Sequence, residues 1–280
     1  MNRKVIYSLL IFFYLIVILL FLSLEYFSDK VININVNNKK LNYEWTEHTL
    51  VAHALGGVNN VMYTNNLEAF HKSYKNGFRV FEVDLIFTAD KVLVAKHDWI
   101  NEATNKKKPL KFKEFKEKKR KEGYTALTFK QVAELMNNYP DIYIITDTKT
   151  KHLKTVEKQF QHIVNISKEI NPQILDRIIP QTYNERMYTK IKEIYPFESI
   201  IYTLYATQIS NNRVIDFCLA NNIQVISMFP SRLSRDFLEK IKENNIKIYL
   251  HTLNDIKELK KYKEKNIEGF YTDFILPHEV

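Results

Sequence analysis

At 280 residues, with 45% hydrophobic and 26% charged residues, the chain has the statistics of a globular protein, and its length favours one sizeable domain. The single cysteine, Cys218, excludes an internal disulfide framework and any multi-cysteine metal site, and leaves the redox compartment open. The net charge is +9, and residues 106–121 hold ten Lys or Arg against two Glu, an excess of eight. Nucleic acid is not the expected partner, because that run offers only Phe112 and Phe115 for stacking and no binding module is recognisable.

Residues 5–24 depart from pure hydrocarbon only at Tyr7, Ser8, Tyr14 and Ser23. Twenty helical residues at about 1.5 Å each span a bilayer core of about 30 Å. Arg3 and Lys4 precede the segment, whereas the first charges after it are Glu25 and Asp29. This asymmetry predicts a single-pass anchor in the cell membrane, with the N-terminus cytoplasmic and the rest extracytoplasmic. A cleaved secretory peptide would show a shorter apolar region and a small-x-small exit, which Leu22-Ser23-Leu24 lacks. The expected organisation is an anchor at 1–25, a stalk rich in Asn, Lys and Tyr at 26–48, and a folded domain at 49–280 with a basic insertion at 100–124.

Short apolar runs at 50–54, 79–87, 92–96, 142–146, 177–181, 199–204, 223–228, 246–251 and 269–272 read as strands. Apolar residues at three and four spacing predict helices at 67–75, 128–137, 155–170, 188–194, 212–221, 234–244 and 256–265. Alternation of the two implies a mainly parallel sheet. Residues 88–91 allow only a tight turn, too short for a parallel crossover, so the third run is expected to fold back antiparallel on the second. Eight strands remain, and the fold class is α/β, a distorted (β/α)8 TIM barrel with chemistry at the carboxyl ends of the strands. Gly77 and Gly269, each before a strand, read as ordinary turn residues, whereas Gly56-Gly57 marks a sharp turn or a close backbone approach.

Residues at the predicted strand ends carry the chemistry. In Glu82-x-Asp84 the pleat sends both carboxylates to one face, where they can meet a hard cation, while Phe81, Val83 and Leu85 pack on the other. Asp147 would be the third carboxylate; alternatively it forms a strand-end salt bridge with Lys149. His53 and His97 are a candidate acid and base pair, though His53 alone reads equally as a core histidine. Asp98 either orients the His97 ring or caps the following segment. Lys96, Lys149, Gln181 and His251 are candidates for substrate binding, and Lys149 could neutralise phosphate charge. The basic run reads as a solvated surface insertion or as a flap that attracts an anionic substrate or lipid headgroups.

Taken in order, His53-x-x-Gly-Gly, Thr64-Asn65-Asn66-Leu67-Glu68-Ala69-Phe70, Gly77, Glu82-x-Asp84, Thr88-Ala89-Asp90, Val94-x-x-His97-Asp98, Thr252-x-Asn254 and Thr272-Asp273 resemble the glycerophosphodiester phosphodiesterase family. The resemblance spans roughly residues 49–275 and implies a phosphatidylinositol-phospholipase-like barrel. It also implies a Ca²⁺ or Mg²⁺ ion on the Glu-x-Asp pair and a later acid, two catalytic histidines matching His53 and His97, and a phosphodiester small molecule or phospholipid-derived substrate. The chain departs from the family pattern at Ala54, where an Arg is usual, at Thr64, where a Glu is usual, and at Asp147, where a Glu is usual. The function expected is thus a membrane-anchored, metal-dependent phosphodiesterase. Its alternatives are a metal-independent phosphatidylinositol-specific phospholipase C-like enzyme and a degenerate barrel that binds anionic lipid or polymer without turnover.

Overall fold

The structure, a computed structural model, describes residues 43–101 and 106–280. The expected membrane helix at 5–24 and most of the expected stalk lie outside the described residues. No helix among the described residues is long and apolar enough to cross a membrane.

Eight parallel strands close on themselves: β1 (Leu50–Ala52), β2 (Val80–Phe87), β6 (Tyr143–Asp147), β7 (Ile178–Thr182), β8 (Ile201–Thr203), β9 (Val225–Met228), β10 (Lys247–Leu250) and β11 (Gly269–Thr272). Closure is made by β1, which pairs with both β2 and β11. The remaining strands among the described residues are β3 (Leu93–Ala95), antiparallel to β2 as the tight turn at 88–91 requires, and the short antiparallel pair β4 (Ile100–Asn101) and β5 (Lys106–Lys107).

Among the described residues, eight helices accompany the strands: α1 (Leu67–Lys75), α2 (Phe112–Lys121), α3 (Phe129–Asn138), α4 (Leu153–Ile170), α5 (Glu185–Ile194), α6 (Asn211–Ala220), α7 (Arg235–Glu243) and α8 (Ile256–Lys263). Their starts follow from capping chemistry. Asn66, Thr128, Asn184, Ser210, Ser234 and Asp255 each accept a backbone N–H of the first turn through the side chain. The helices bury their apolar faces against the outward-facing strand residues, among them Phe81, Val83 and Leu85 of β2.

Inside the barrel, each strand contributes one residue to an apolar layer: Val51, Val80, Ile145, Ile179, Ile201, Val225, Tyr249 and Tyr271. Trp45, from a short 3₁₀ turn at Glu44–Glu47, packs with this layer, fully buried, and donates its indole N–H to Ser199 Oγ at 2.7 Å. The folded domain therefore begins before residue 49. Residues 43–48, expected as the end of the stalk, belong to the amino-terminal side of the barrel, because a large ring is needed to fill that opening. Gly269 also differs from its expected turn role. It opens β11, where a Cβ would fall 2.1 Å from the Tyr249 ring, so packing rather than backbone freedom requires the glycine.

Because strand side chains alternate faces, the inward residues two positions after the apolar layer are His53, Glu82, Asp147, Gln181, Thr203, Ser227, His251 and Asp273. Every barrel strand thus changes from apolar to polar toward its carboxyl end, which puts these polar side chains on one side of the barrel.

Candidate active site

Glu82, Asp84 and Asp147 come together at the barrel mouth on that side, each buried, with ligand oxygens within 4.8 Å of one another. The β2–β6 register sets Asp84 directly beside Asp147. Lys149 Nζ lies 3.2 Å from Asp84 Oδ1 and 3.2 Å from Asp147 Oδ2, so the salt bridge and the acid cluster are one arrangement. Asp147 also accepts hydrogen bonds from the hydroxyls of Tyr183 and, at 2.6 Å, Tyr205. These two tyrosines, each two residues after a strand-end polar residue (Gln181 and Thr203), hold the Asp147 carboxylate in place.

Glu82 Oε2 accepts the N–H of Ala54 at 2.8 Å, and Asn65 donates to Asp84 Oδ2 at 2.7 Å. Burial, then Asp84 and Asp147, hold the Glu82 carboxyl well above the usual range. For Asp84, burial acts upward, but Lys149, His53 and His97 outweigh it and keep the group below its ordinary value. Burial likewise opposes charge on Lys149, yet Asp147, Asp84 and Glu82 raise its pKa.

This donor set fits a hard divalent cation. Three buried carboxylates face one ammonium, which leaves two negative charges uncompensated when all are ionised. Asp84 Oδ1, buried and close to Lys149, makes no hydrogen bond. Oxygen-only donors of this kind suit Ca²⁺ or Mg²⁺.

The two histidines each carry a carboxylate on Nδ1. His53, buried at the end of β1, has Asp273 Oδ1 at 3.0 Å, and Asp273 is held in turn by Asn254, whose amide donates to Oδ2 at 2.8 Å. Gly57 brings the two loops together: its N–H donates to Asp273 O at 2.7 Å, and a Cβ there would meet the Phe274 ring at 2.2 Å. His97, half-exposed, has Asp98 Oδ2 at 2.7 Å. Asp98 does both jobs considered for it, since its other oxygen accepts the Ile100 N–H at 2.8 Å. The Tyr63 ring stands between the imidazoles, 4.8 Å from each.

The other candidates take separate places. His251 is enclosed by Tyr205, Tyr271, Phe229 and His53, and its pKa is lowered to about 3, by burial first and then by His53 and Lys149. Its Nδ1 has no hydrogen-bond partner. Gln181 is buried deeper, its Oε1 accepting the Thr203 hydroxyl at 2.6 Å and the Ser227 hydroxyl at 3.3 Å. Lys96 stands over the Trp99 ring, its Nζ 5.6 Å from the centroid. Thr64 does not reach the acids and donates instead to Gly56 O at 2.8 Å, fixing the turn after His53. Sequence spacing misses Asp273 as the partner of His53, and also Tyr63, Tyr183 and Tyr205. The apolar-x-polar step at each strand end is the signal that marks Asp273.

A model of the Glycerophosphoryl diester phosphodiesterase family matches residues 56–276 of the sequence. The fold is similar to that of a phosphodiesterase from Oleispira antarctica solved with the product sn-glycerol-3-phosphate, at 17% identity and a TM-score of 0.65, covering 80% of this chain and 92% of that one. Glycerophosphodiester phosphodiesterases from Thermotoga maritima (20% identity, TM-score 0.60, 80% and 94% covered) and Parabacteroides distasonis (16%, 0.65, 82% and 94%) are similar as well. No curated protein matches the sequence.

Proposed function

Since the chain belongs to the glycerophosphoryl diester phosphodiesterase family and is thereby a phosphoric diester hydrolase, we propose that it cleaves glycerophosphodiester-type substrates with His53 and His97 as the acid and base pair. The observation that carries this reading is the pair of imidazoles, each with a carboxylate on Nδ1, at the same mouth as three convergent acids. Those carboxylates favour the proton on Nδ1 and leave Nε2 to exchange protons with substrate.

Buried His53 takes the proton from a substrate hydroxyl adjacent to the phosphodiester, and that oxygen attacks phosphorus within the same molecule. Half-exposed His97, facing the open side through which an alcohol must leave, donates a proton to the departing oxygen. The product pair is a cyclic phosphate and a free alcohol. Water then opens the ring with the two histidines exchanging roles. Lys149 places positive charge where phosphate oxygens would lie, and Tyr205 and Tyr183 keep Asp147 in position. A divalent cation, Ca²⁺ or Mg²⁺, held by Glu82, Asp84 and Asp147 supplies, when bound, charge neutralisation at the phosphoryl oxygens.

A second reading, metal-independent cleavage of phosphatidylinositol-type substrates, is favoured by one observation: Lys149 already supplies a cation between Asp84 and Asp147. Activity in the presence of chelator separates the two. The sequence of residues 5–24 further supports a cell-membrane anchor with the barrel on the extracytoplasmic side. Turnover of glycerophosphodiesters with Ca²⁺, Mg²⁺ or chelator tests the reading, which requires metal-dependent release of alcohol and its loss in the Glu82→Ala variant.

A further inference from the structure

Beyond His97 the mouth continues into a cleft of about 780 Å³, walled by the strand end at Lys96, the turn at Tyr63 and the basic helix α2. Lys96, Lys108, Lys118 and Lys119 all line it. Their counter-charges are few. Asp98 is engaged by His97 and by the Ile100 N–H, and Glu122 pairs with Lys118 at 3.9 Å while acting on Lys96 and Lys119 from beyond ion-pairing range. Among the described residues no carboxylate comes within ion-pairing range of Lys96 Nζ. Lys119 instead spans the cleft to donate to Thr64 O at 3.1 Å, tying α2 to the turn that follows His53.

This wall is built rather than merely solvated. Phe115 of α2 is buried against Val94 and Ala126, with Trp99 packed alongside, so one face of the basic helix is anchored while Lys118 and Lys119 are turned toward the cleft. Burial holds Lys96 and Lys119 below the usual lysine range, and Lys118 acts in the same direction on both, against Asp98 on Lys96 and Glu122 on each. Four ammonium groups around one cleft, two of them, Lys96 and Lys119, partly desolvated, against the two lining carboxylates Asp98 and Glu122, are the complement of an anion.

We infer that this cleft is an anion subsite that takes a second phosphate, carried on the alcohol portion of the phosphodiester whose scissile group is handled at His53 and His97. The inference rests on the proposed phosphodiesterase reading and narrows its substrate class to diesters with a further phosphate on the leaving side. The second phosphate meets Lys96 and Lys119 at the inner wall and Lys118 nearer solvent. A cationic leaving group would face the same lysines unfavourably.

The test compares two soluble diesters, glycerophosphoglycerol and its derivative bearing a terminal phosphate on the second glycerol, in turnover and in calorimetric binding to the full chain. The expected result is a preference of about tenfold or more for the phosphorylated diester in both kcat/KM and Kd, shrinking at high salt. In the Lys119→Gln and Lys118→Ala variants the ratio falls toward one. Two variants are used because Lys119 also ties down a turn. Equal kcat/KM and Kd for the two diesters, or a ratio unchanged in both variants, overturns the subsite. Binding preference without turnover of either diester retains the subsite and overturns the catalytic reading on which its substrate assignment rests. Loss of the preference on adding anionic phospholipid vesicles assigns the phosphate to a lipid headgroup, and its persistence assigns it to a soluble or polymeric diester.

Discussion

Asp273 holds His53 Nδ1 at 3.0 Å across 220 residues of sequence. The contact exists because β1 and β11 are neighbours in the closed barrel, with Ala52 paired to Thr272, so the next residue of each strand faces the other. Replacement by Asn keeps the shape but presents an N–H where the carboxylate accepted one. Asp273→Asn is therefore expected to lower kcat by roughly 10²–10⁴-fold, within the usual range for general acid–base contributions, and to move the pH profile of kcat/KM. Steady-state kinetics over pH 5–9 provides the check; an unaltered profile would remove Asp273 from the account.

Removal of Lys149 leaves Asp84 and Asp147 without their shared counter-charge. Lys149→Met is predicted to depress kcat/KM by at least about tenfold, since the proposed charge-assisted contact to phosphate is lost and the acids repel one another. Lys149→Arg is not expected to restore it, because the bulkier guanidinium cannot occupy the same point between two carboxylates. Parallel kinetics of the two variants tests this.

Much of the fold is legible in the sequence. Short apolar runs between helical periods locate the barrel strands, and the four residues at 88–91 force the β2–β3 hairpin that delivers His97. What sequence does not carry locally are the contacts made by barrel closure. Nothing near His53 indicates Asp273, and nothing near Asp147 indicates Tyr183 or Tyr205. Trp45 reads as part of a stalk because its partners are strand residues from the whole length of the chain. The Asp147–Lys149 pair is visible in the spacing, but only the parallel register with β2 shows that Asp84 shares it.

The true place of Trp45 yields a stability prediction. The residue is fully buried and its indole N–H is bound to Ser199. Trp45→Ala should cost about 3–5 kcal/mol, the usual range for truncating a large core aromatic. Urea denaturation measures the difference. A loss below about 1 kcal/mol would show that the ring is not part of the barrel core.

His251 offers a pH test. Its folded-state pKa, about 3, lies below the unfolded value near 6.5, so folding favours the neutral ring. The stability it contributes is fully present above pH 6.5 and is lost as pH falls from there toward 3. Unfolding free energy measured between pH 7 and pH 4 should therefore decline less steeply in His251→Gln than in the parent protein, and parallel slopes would contradict the burial argument.

The most direct test follows phosphorus. With glycerophosphoglycerol and Ca²⁺ or Mg²⁺, ³¹P NMR is predicted to show a transient cyclic phosphate that gives way to glycerol phosphate, with the signal absent under chelation and in both His53→Ala and His97→Ala. Hydrolysis at parental rates in either histidine variant would contradict the account.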